Sequence, residues 1–245
     1  MSLIYLVRHA QAGTRDNYDV LSDLGREQAR LLGDNLVSQG VTFEAVYSGS
    51  LQRQRLTAEI ALSAYAEAGV PHPDAVTDHR WDEFNLRSIY LAITKRLIEE
   101  SPEFARDFEE MEEALRKDPH TTRGATGRCD AAVIRAWMEN RYPDYEGESW
   151  AGFRDRIKSC LGDFSGEPSE ESSREYEGAV AVFTSATPIA ILAAASLELT
   201  DEKFLSVLGV IYNSSVTVIR SRGREMRLFM LNSTAHLPLS IRTLR

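Results

Sequence analysis

The run LIYLV (3–7) is short and continuously apolar, the pattern of a strand buried on both faces. It breaks off at the polar pair Arg8-His9. Ala29, Leu32 and Leu36 then recur at helical spacing behind Ser22, which predicts a capped helix to about Ser38 with Gly40 as its stop. FEAVYS (43–48) predicts a second strand, and residues 51–68 a second helix closed by Gly69-Val70-Pro71. PDAVTD (73–78) is a weaker extended segment. From about 84 to 150 strand signals give way to charged helical segments (IYLAITKRLIEE, EFARDFEEMEEALRK, CDAAVIRAWMENRY), read as an all-helical insertion over 84–148. Ser149 is placed to cap a helix over 150–164, and the acidic stretch 165–178 predicts a solvated loop. The strand pattern resumes in AVAVFTS (179–185), followed by a helix in PIAILAAASL and a short helix in DEKFLSVLG. SSVTVIRS (214–221) and EMRLFMLN (225–232) predict a closing hairpin around Arg222-Gly223.

Strands buried on both faces and alternating with helices imply a layered α/β fold class with a mostly parallel sheet. At 245 residues the chain fits one large domain, 1–245, carrying the helical insertion. Its 43% hydrophobic and 27% charged residues exclude a disordered tail, a collagen-like chain and a small disulfide scaffold. The 28 basic and 37 acidic side chains sum to −9, a charge that repels phosphodiester backbones, so no nucleic-acid partner is expected. Cys129 and Cys160 lack metal-like spacing and are read as free buried thiols of a reducing compartment. The start MSLIYLVRHAQ has no basic leader, and PIAILAAASLEL (188–199) falls short of the roughly 20 residues of a membrane span. A cytoplasmic protein without a membrane partner is expected. Oligomeric state leaves no signal in the chain.

In open α/β sheets ligands bind beyond the carboxyl ends of the strands, so the polar residues just after each apolar run are the ones to question. After the first run come Arg8 and His9. After the second, Ser48-Gly49-Ser50 leads to Arg53 and Arg55; after the fourth come Thr184, Ser185, Ala186 and Thr187. Arginines converging with a histidine make an anion site, because guanidinium forks match phosphate oxygens. Arg55, two positions past Arg53, points to a different helix face and is read as a surface residue.

The residues that fill these positions resemble the histidine phosphatase superfamily, also called phosphoglycerate mutase-like. LIYLVRHA carries Arg8-His9-Ala10 where that family has Arg-His-Gly, and LSDLGREQA (21–29) matches its L-[ST]-x-x-G-x-x-Q-A pattern. SGSLQRQRLTA (48–58) matches S-x-x-L-x-R-x-x-x-T-A and makes Arg53 the second pocket arginine. Glu83 within HRWDEF, Gly147-Glu148-Ser149, and NSTAHL (232–237) match further stations in order. The resemblance implies a three-layer αβα sandwich with the insertion as a cap over the active crevice. It implies phosphomonoester hydrolysis in which His9 attacks phosphorus and forms a phosphohistidine, while Arg8 and Arg53 hold the phosphoryl oxygens. Glu83 would protonate the leaving alkoxide. No cofactor and no metal is implied, since two guanidiniums supply the positive charge, and the partner is a small phosphorylated molecule or inorganic phosphate.

One station departs from the family. A second histidine is expected after the fourth strand, and VFTSATPIA places Ala186 there. Loss of a preorganised donor typically costs ~10²–10³ in rate. Three readings follow: a weakened enzyme; an inactive phospholigand-binding pseudo-phosphatase; or an alanine introduced by substitution, or covered by another histidine among His72, His79, His120 and His236. Of these His79, four residues before Glu83, lies nearest the site in sequence, and His236 is read as structural. In the first reading Thr187 is the N-cap and Pro188 the first residue of the helix, the amides of Ile189 and Ala190 face the anion, and the Ser185 or Thr187 hydroxyl substitutes as donor. Arg15 and Asn17 are possible substrate contacts in the loop after His9. Arg87, Arg123 and Arg128 are candidates for a second anionic group. Substrate identity has no signature here.

Overall fold

The computed structural model describes residues 2–14, 17–119, 121, 123–164, 178–222 and 225–244. The apolar runs form β1 (Ser2–Arg8), β2 (Phe43–Ser48), β3 (Ala75–Thr77) and β4 (Ala179–Thr184). The last pair of runs forms β5 (Val216–Arg222) and β6 (Glu225–Ser233). They make one six-stranded sheet in the order β3-β2-β4-β1-β5-β6. β1, β2, β3 and β4 are parallel; β5 is antiparallel to β1, and β6 antiparallel to β5. The sheet is mixed, with β5 alone running against the rest. β5 begins two residues later than the pattern predicts, because Ser214 takes a φ of +58° that no strand accommodates. Arg222 and Glu225 pair across the hairpin, while its predicted turn residue Gly223 lies outside the described residues.

Helices flank the sheet on both faces. Leu32 and Leu36 of α1 (Asp23–Ser38) and Ala58, Ala61, Leu62 and Tyr65 of α2 (Gln52–Glu67) bury against Val7, Val46, Ala181 and Phe183. Side chains alternate along a strand, so Ile4, Leu6, Val180 and Val182, all fully buried, belong to the other face. Each such side chain contributes about 1.5–3 kcal/mol of burial. α7 (Ala186–Ser196), apolar on almost every side, packs on β1, β5 and β6, with α8 (Asp201–Leu208) against it. The cap of α1 is as read from the sequence: Ser22 accepts the Gly25 amide at 3.0 Å, and Gly40 takes a φ of +67° past its end.

Residues up to Glu83 and from Arg156 to Leu244 form one compact unit, and Phe84–Asp155 form a second. The second unit holds α3 (Leu86–Glu100), α4 (Pro102–Lys117) and α5 (Ala125–Met138). Ser101 caps α4 by accepting the Phe104 amide at 3.1 Å, with Pro102 at its first position. Phe84, Trp137, Trp150 and Phe153 make an aromatic cluster in this unit, the Phe84 and Trp137 rings 4.7 Å apart. Ser149 accepts the Gly152 amide at 3.1 Å and starts α6 (Trp150–Ser159), shorter than predicted because residues 160–164 tighten into a 3₁₀ turn. Most of the predicted acidic loop, 165–177, lies outside the described residues. Cys129 and Cys160 are buried and unbridged, and burial pushes the Cys160 thiol up to about 12. Among the described residues no helix is long and apolar enough to cross a membrane.

Candidate active site

Parallel pairing decides where the chemistry gathers. Register sets Arg8 beside Thr184 and Ser48 beside Phe183, so the carboxyl ends of β1, β2 and β4 finish level. His9, one residue past β1, has its backbone held on both sides. Its amide donates to the Thr184 carbonyl at 2.8 Å, and its carbonyl accepts from Asn213 Nδ2 at 3.2 Å and from the Ser214 amide at 3.3 Å.

The motif residues are the scaffold behind it. Thr57 Oγ1 accepts the Ala10 amide at 3.0 Å and donates to the Arg53 carbonyl at 2.7 Å, tying the residue after His9 to the helix that carries Arg53. Gln28 Oε1 accepts the Gln11 amide at 2.8 Å. Gly25 lies so close to the same loop that a Cβ there would stand 2.1 Å from the Gln11 carbonyl oxygen. Sequence reading lists these residues as a pattern; their job is to fix the loop on which His9 sits.

The His9 side chain is 2% exposed. Its Nδ1 lies 2.8 Å from the Ala10 carbonyl, and its Nε2 lies 3.2 Å from Arg53 Nε. A carbonyl only accepts and a guanidinium only donates, so a single tautomer satisfies both: Nδ1 carries the proton and Nε2 keeps its lone pair. Burial first, then the charges of Arg53 and Arg8, hold this histidine well below its ordinary value of 6.5.

Arg8 is buried as well; it donates to the Ile211 carbonyl and to the Tyr18 hydroxyl, and its Nε has no hydrogen-bond partner among the described residues. Burial lowers its pKa from the arginine norm, yet the group stays charged.

Arg53 comes from the first turn of α2. Leu51, at the N-cap, offers no side-chain oxygen, and Asp19 from the loop after β1 fills that role: its Oδ2 accepts the Gln52 amide at 3.1 Å, and its Oδ1 pairs with Arg53 Nη1 at 3.0 Å. Tyr18 lies beneath the same guanidinium, 4.8 Å from Cζ to ring centroid, and edge-on to His9 at 6.1 Å. Pattern reading missed Tyr18 and Asp19, because loop residues carry no periodicity. The one available signal was their place just ahead of the Leu21-Ser22 motif.

Glu83 reaches the start of α7, where its Oε2 accepts the Thr187 amide at 3.1 Å. Here the expected helix start is corrected. Ser185, not Thr187, is the N-cap; Ala186 is the first helical residue, and Pro188 the third. The cause is the amide count: the Ile189 amide donates back to the Ser185 carbonyl at 3.4 Å, so it belongs to the helix and faces no anion. The Ser185 hydroxyl accepts from Gln54 Nε2 at 2.9 Å, buried within that contact.

The structure thus brings His9, Arg8, Arg53, Glu83, Ser185 and Thr187 to one rim of the first unit. Arg55 is exposed, as its helix face requires. Asn17 is exposed in the loop after His9, while Arg15 and His120 lie outside the described residues. His79 is exposed on a 3₁₀ turn. His236 is largely buried and pushed down to about 4 by that burial, and His72 bonds the Pro73 carbonyl at 3.2 Å. Arg87, Arg123 and Arg128 all belong to the second unit, where Arg128 is engaged by Asp107 and Glu110.

A buried imidazole facing the Arg53 guanidinium stands at the carboxyl edge of a largely parallel sheet, the edge beyond which α/β folds bind their ligands. The chain belongs to the histidine phosphatase superfamily (branch 1), whose family model matches residues 4–136 and 120–234. It is similar to the mitochondrial serine/threonine-protein phosphatase Pgam5 of Caenorhabditis elegans, 31% identical over 165 residues, 60% of this chain and 52% of that protein. The chain thus spans about half the length of the curated relatives it matches. The fold is shared with a mycobacterial glucosyl-3-phosphoglycerate phosphatase solved with inorganic phosphate, at TM-score 0.57 and 22% identity over 96% of this chain and 99% of that one. It is shared too with a phosphoserine phosphatase from Entamoeba histolytica solved with phosphoserine, at TM-score 0.60 and 16% identity over 97% and 100% of the two chains.

Proposed function

We propose that this chain is a phosphomonoester hydrolase working through a phosphohistidine on His9. The observation that carries the reading is the pair of contacts that choose the tautomer: a buried imidazole whose Nδ1 meets the Ala10 carbonyl and whose Nε2 lone pair meets Arg53 Nε, with the Arg8 charge acting on the same ring. Nε2 attacks phosphorus, the bond from phosphorus to the ester oxygen breaks, and Glu83 in its acid form gives the leaving oxygen its proton. Water then attacks phosphorus and gives a proton to Glu83, the phosphorus–nitrogen bond breaks with its electron pair returning to Nε2, and His9 is restored with inorganic phosphate as product. Arg53 releases Nε2 when its Nε–H turns to a phosphoryl oxygen, and Arg8 Nε, which has no acceptor among the described residues, donates to the same group. Two guanidiniums supply the charge that the transferring group needs, so the scheme requires no metal. The substrate is a small phosphorylated molecule.

The scheme is tested with a panel of phosphomonoesters and an aryl phosphate, comparing the wild type with His9→Ala. Turnover lost in His9→Ala and retained in a remote surface variant supports it. Two observations favour a second reading, a phospholigand-binding protein without turnover: the Ala186 side chain brings no donor, and Glu83 accepts from the Thr187 amide. Equal background rates in both proteins, with phosphate still bound, select that reading.

A further inference from the structure

The two peptide groups that follow His9 are both held from behind. Asn213 Nδ2 donates to the His9 carbonyl at 3.2 Å, and Gln28 Oε1 accepts the Gln11 amide at 2.8 Å. The Gln11 N–H and the Ala10 carbonyl belong to one planar trans peptide, in which the two groups point in opposite directions. Holding the N–H on Gln28 therefore turns the carbonyl toward His9 Nδ1, 2.8 Å away. The carbonyl that selects the tautomer is aimed by Gln28.

The far ends of these two side-chain amides meet on one oxygen. Thr243, in the segment after the 3₁₀ turn Leu239–Ile241, accepts from Gln28 Nε2 at 3.0 Å and donates to Asn213 Oδ1 at 3.0 Å. Its carbonyl accepts the Asn213 backbone amide at 2.8 Å, and the Ile241 carbonyl accepts from Gln28 Nε2 at 2.7 Å. One set of directions satisfies every member. The Ile241 carbonyl only accepts, so the end of Gln28 beside Thr243 is its amide nitrogen. The Thr243 oxygen receives that N–H and sends its own proton to Asn213. Asn213 then presents Oδ1 to Thr243 and Nδ2 to the His9 carbonyl. Gln28 and Asn213 are fully buried, where a mismatched amide is costly.

We infer that Thr243 is a positioning residue for His9: its hydroxyl closes a one-directional hydrogen-bonded circuit that runs from the Gln11 amide through Gln28, Thr243 and Asn213 to the His9 carbonyl. The inference rests on the proposed reading of His9 as nucleophile. Thr243 bonds to Gln28 and Asn213 behind the loop, and it acts by keeping the Ala10 carbonyl on Nδ1 and hence the lone pair on Nε2. Hydrogen bonds linked head to tail strengthen one another, so the loss of one member loosens the rest. A nucleophile displaced by about 1 Å loses up to ~10²-fold in rate.

The test compares the full chain as wild type, as Thr243→Val, which keeps the shape and loses the hydroxyl, and as Thr243→Ser, which keeps the hydroxyl. Thr243→Val is expected to lower kcat for an aryl phosphate by about tenfold or more while KM stays within about twofold. In nitrogen-15 NMR at pH 8 its two His9 ring signals are expected to move toward each other, the mark of mixed tautomers. Thr243→Ser is expected to keep kcat within about threefold of wild type and to show the wild-type ring signals. Unchanged kcat in Thr243→Val, equal losses in Thr243→Val and Thr243→Ser, or a loss of kcat with His9 signals unmoved each overturns the assignment. The last result marks an anchor for the chain segment alone. Should Thr243→Val fail to fold, Thr243→Ala takes its place with the same expectations and the same overturning results. Mixed tautomers in Thr243→Val of a protein that turns over no ester keep Thr243 in its role and sink the hydrolase. Turnover that needs His9 and is equal in wild type and Thr243→Val does the reverse.

Discussion

Arg53 donates its Nε–H to Nε2 of His9 across 3.2 Å, although 44 positions separate the two residues. The bond holds the imidazole neutral, with its lone pair on the nitrogen that the pocket faces. Burial and the two guanidiniums keep the folded-state pKa of His9 well below 6.5. We expect the His9 ring nitrogens to show the neutral tautomer, protonated on Nδ1, throughout a nitrogen-15 NMR titration from pH 8 down to pH 6. A half-protonated ring near pH 6.5 would contradict the site geometry.

The same depression has a sign for stability. As pH falls through 6.5 the unfolded chain takes up a proton that the folded His9 refuses, so stability is full above that value and declines below it. His236, pushed down to about 4, adds a second decline between 6.5 and 4. Each refused proton costs about 1.4 kcal/mol per pH unit within its window. Urea denaturation at pH 7.5 and 5.5 is expected to show the loss, and His9→Gln a smaller one. An unchanged slope in His9→Gln assigns the acid sensitivity elsewhere.

Glu83 is expected to matter in proportion to how badly the leaving group needs a proton. Glu83→Gln keeps an oxygen for the Thr187 amide but gives up the acid. We expect kcat to drop ~10²-fold or more on an alkyl phosphate and by less than about tenfold on an aryl phosphate whose phenolate leaves unaided. Equal losses on the two substrates assign Glu83 to binding instead.

Gly25 is where the fold reaches the site from behind. A Cβ at this position would lie 2.1 Å from the Gln11 carbonyl oxygen and 3.1 Å from its amide nitrogen, so backbone must shift. Gly25→Ala is expected to cost about 1–3 kcal/mol in chemical denaturation, despite alanine's better helix propensity. Because Gln11 is two residues from His9, phosphate affinity is expected to fall with it. A stabilised Gly25→Ala variant would show that the loop gives way freely.

Asp19 is half exposed, so its pair with Arg53 is worth at most about 1 kcal/mol as an ion pair. Its amide contact at the start of α2 adds a helix-cap contribution of about 0.5–1 kcal/mol. Asp19→Asn is expected to lower stability by about 1 kcal/mol, with the difference shrinking in high salt. A variant as stable as wild type at low salt shows that the contact does not hold the turn.

Local pattern was enough for the elements. LIYLV and AVAVFT declare buried strands because both faces of each are apolar, and Ser22 and Gly40 bound a helix because an N-cap oxygen and a left-handed residue are local requirements. Arg8, His9, Arg53 and Glu83 were legible as members of ordered motifs. What local pattern misjudged was the start of α7, since Thr187-Pro188 is a good helix opening by composition while hydrogen bonding began the helix at Ala186.

The sequence by itself determined which segments bury, and which polar residues stand at their ends. Only the tertiary structure decided that the ends of β1, β2 and β4 finish level, because register is set by pairing between strands distant along the chain. Only it put the lone pair of His9 on Nε2, since the two partners that choose the tautomer come from different elements. Tyr18 and Asp19 entered the site the same way: along the chain only their place ahead of the Leu21-Ser22 motif marks them, and their contacts with His9 and α2 exist only where the loop after β1 lies against α2.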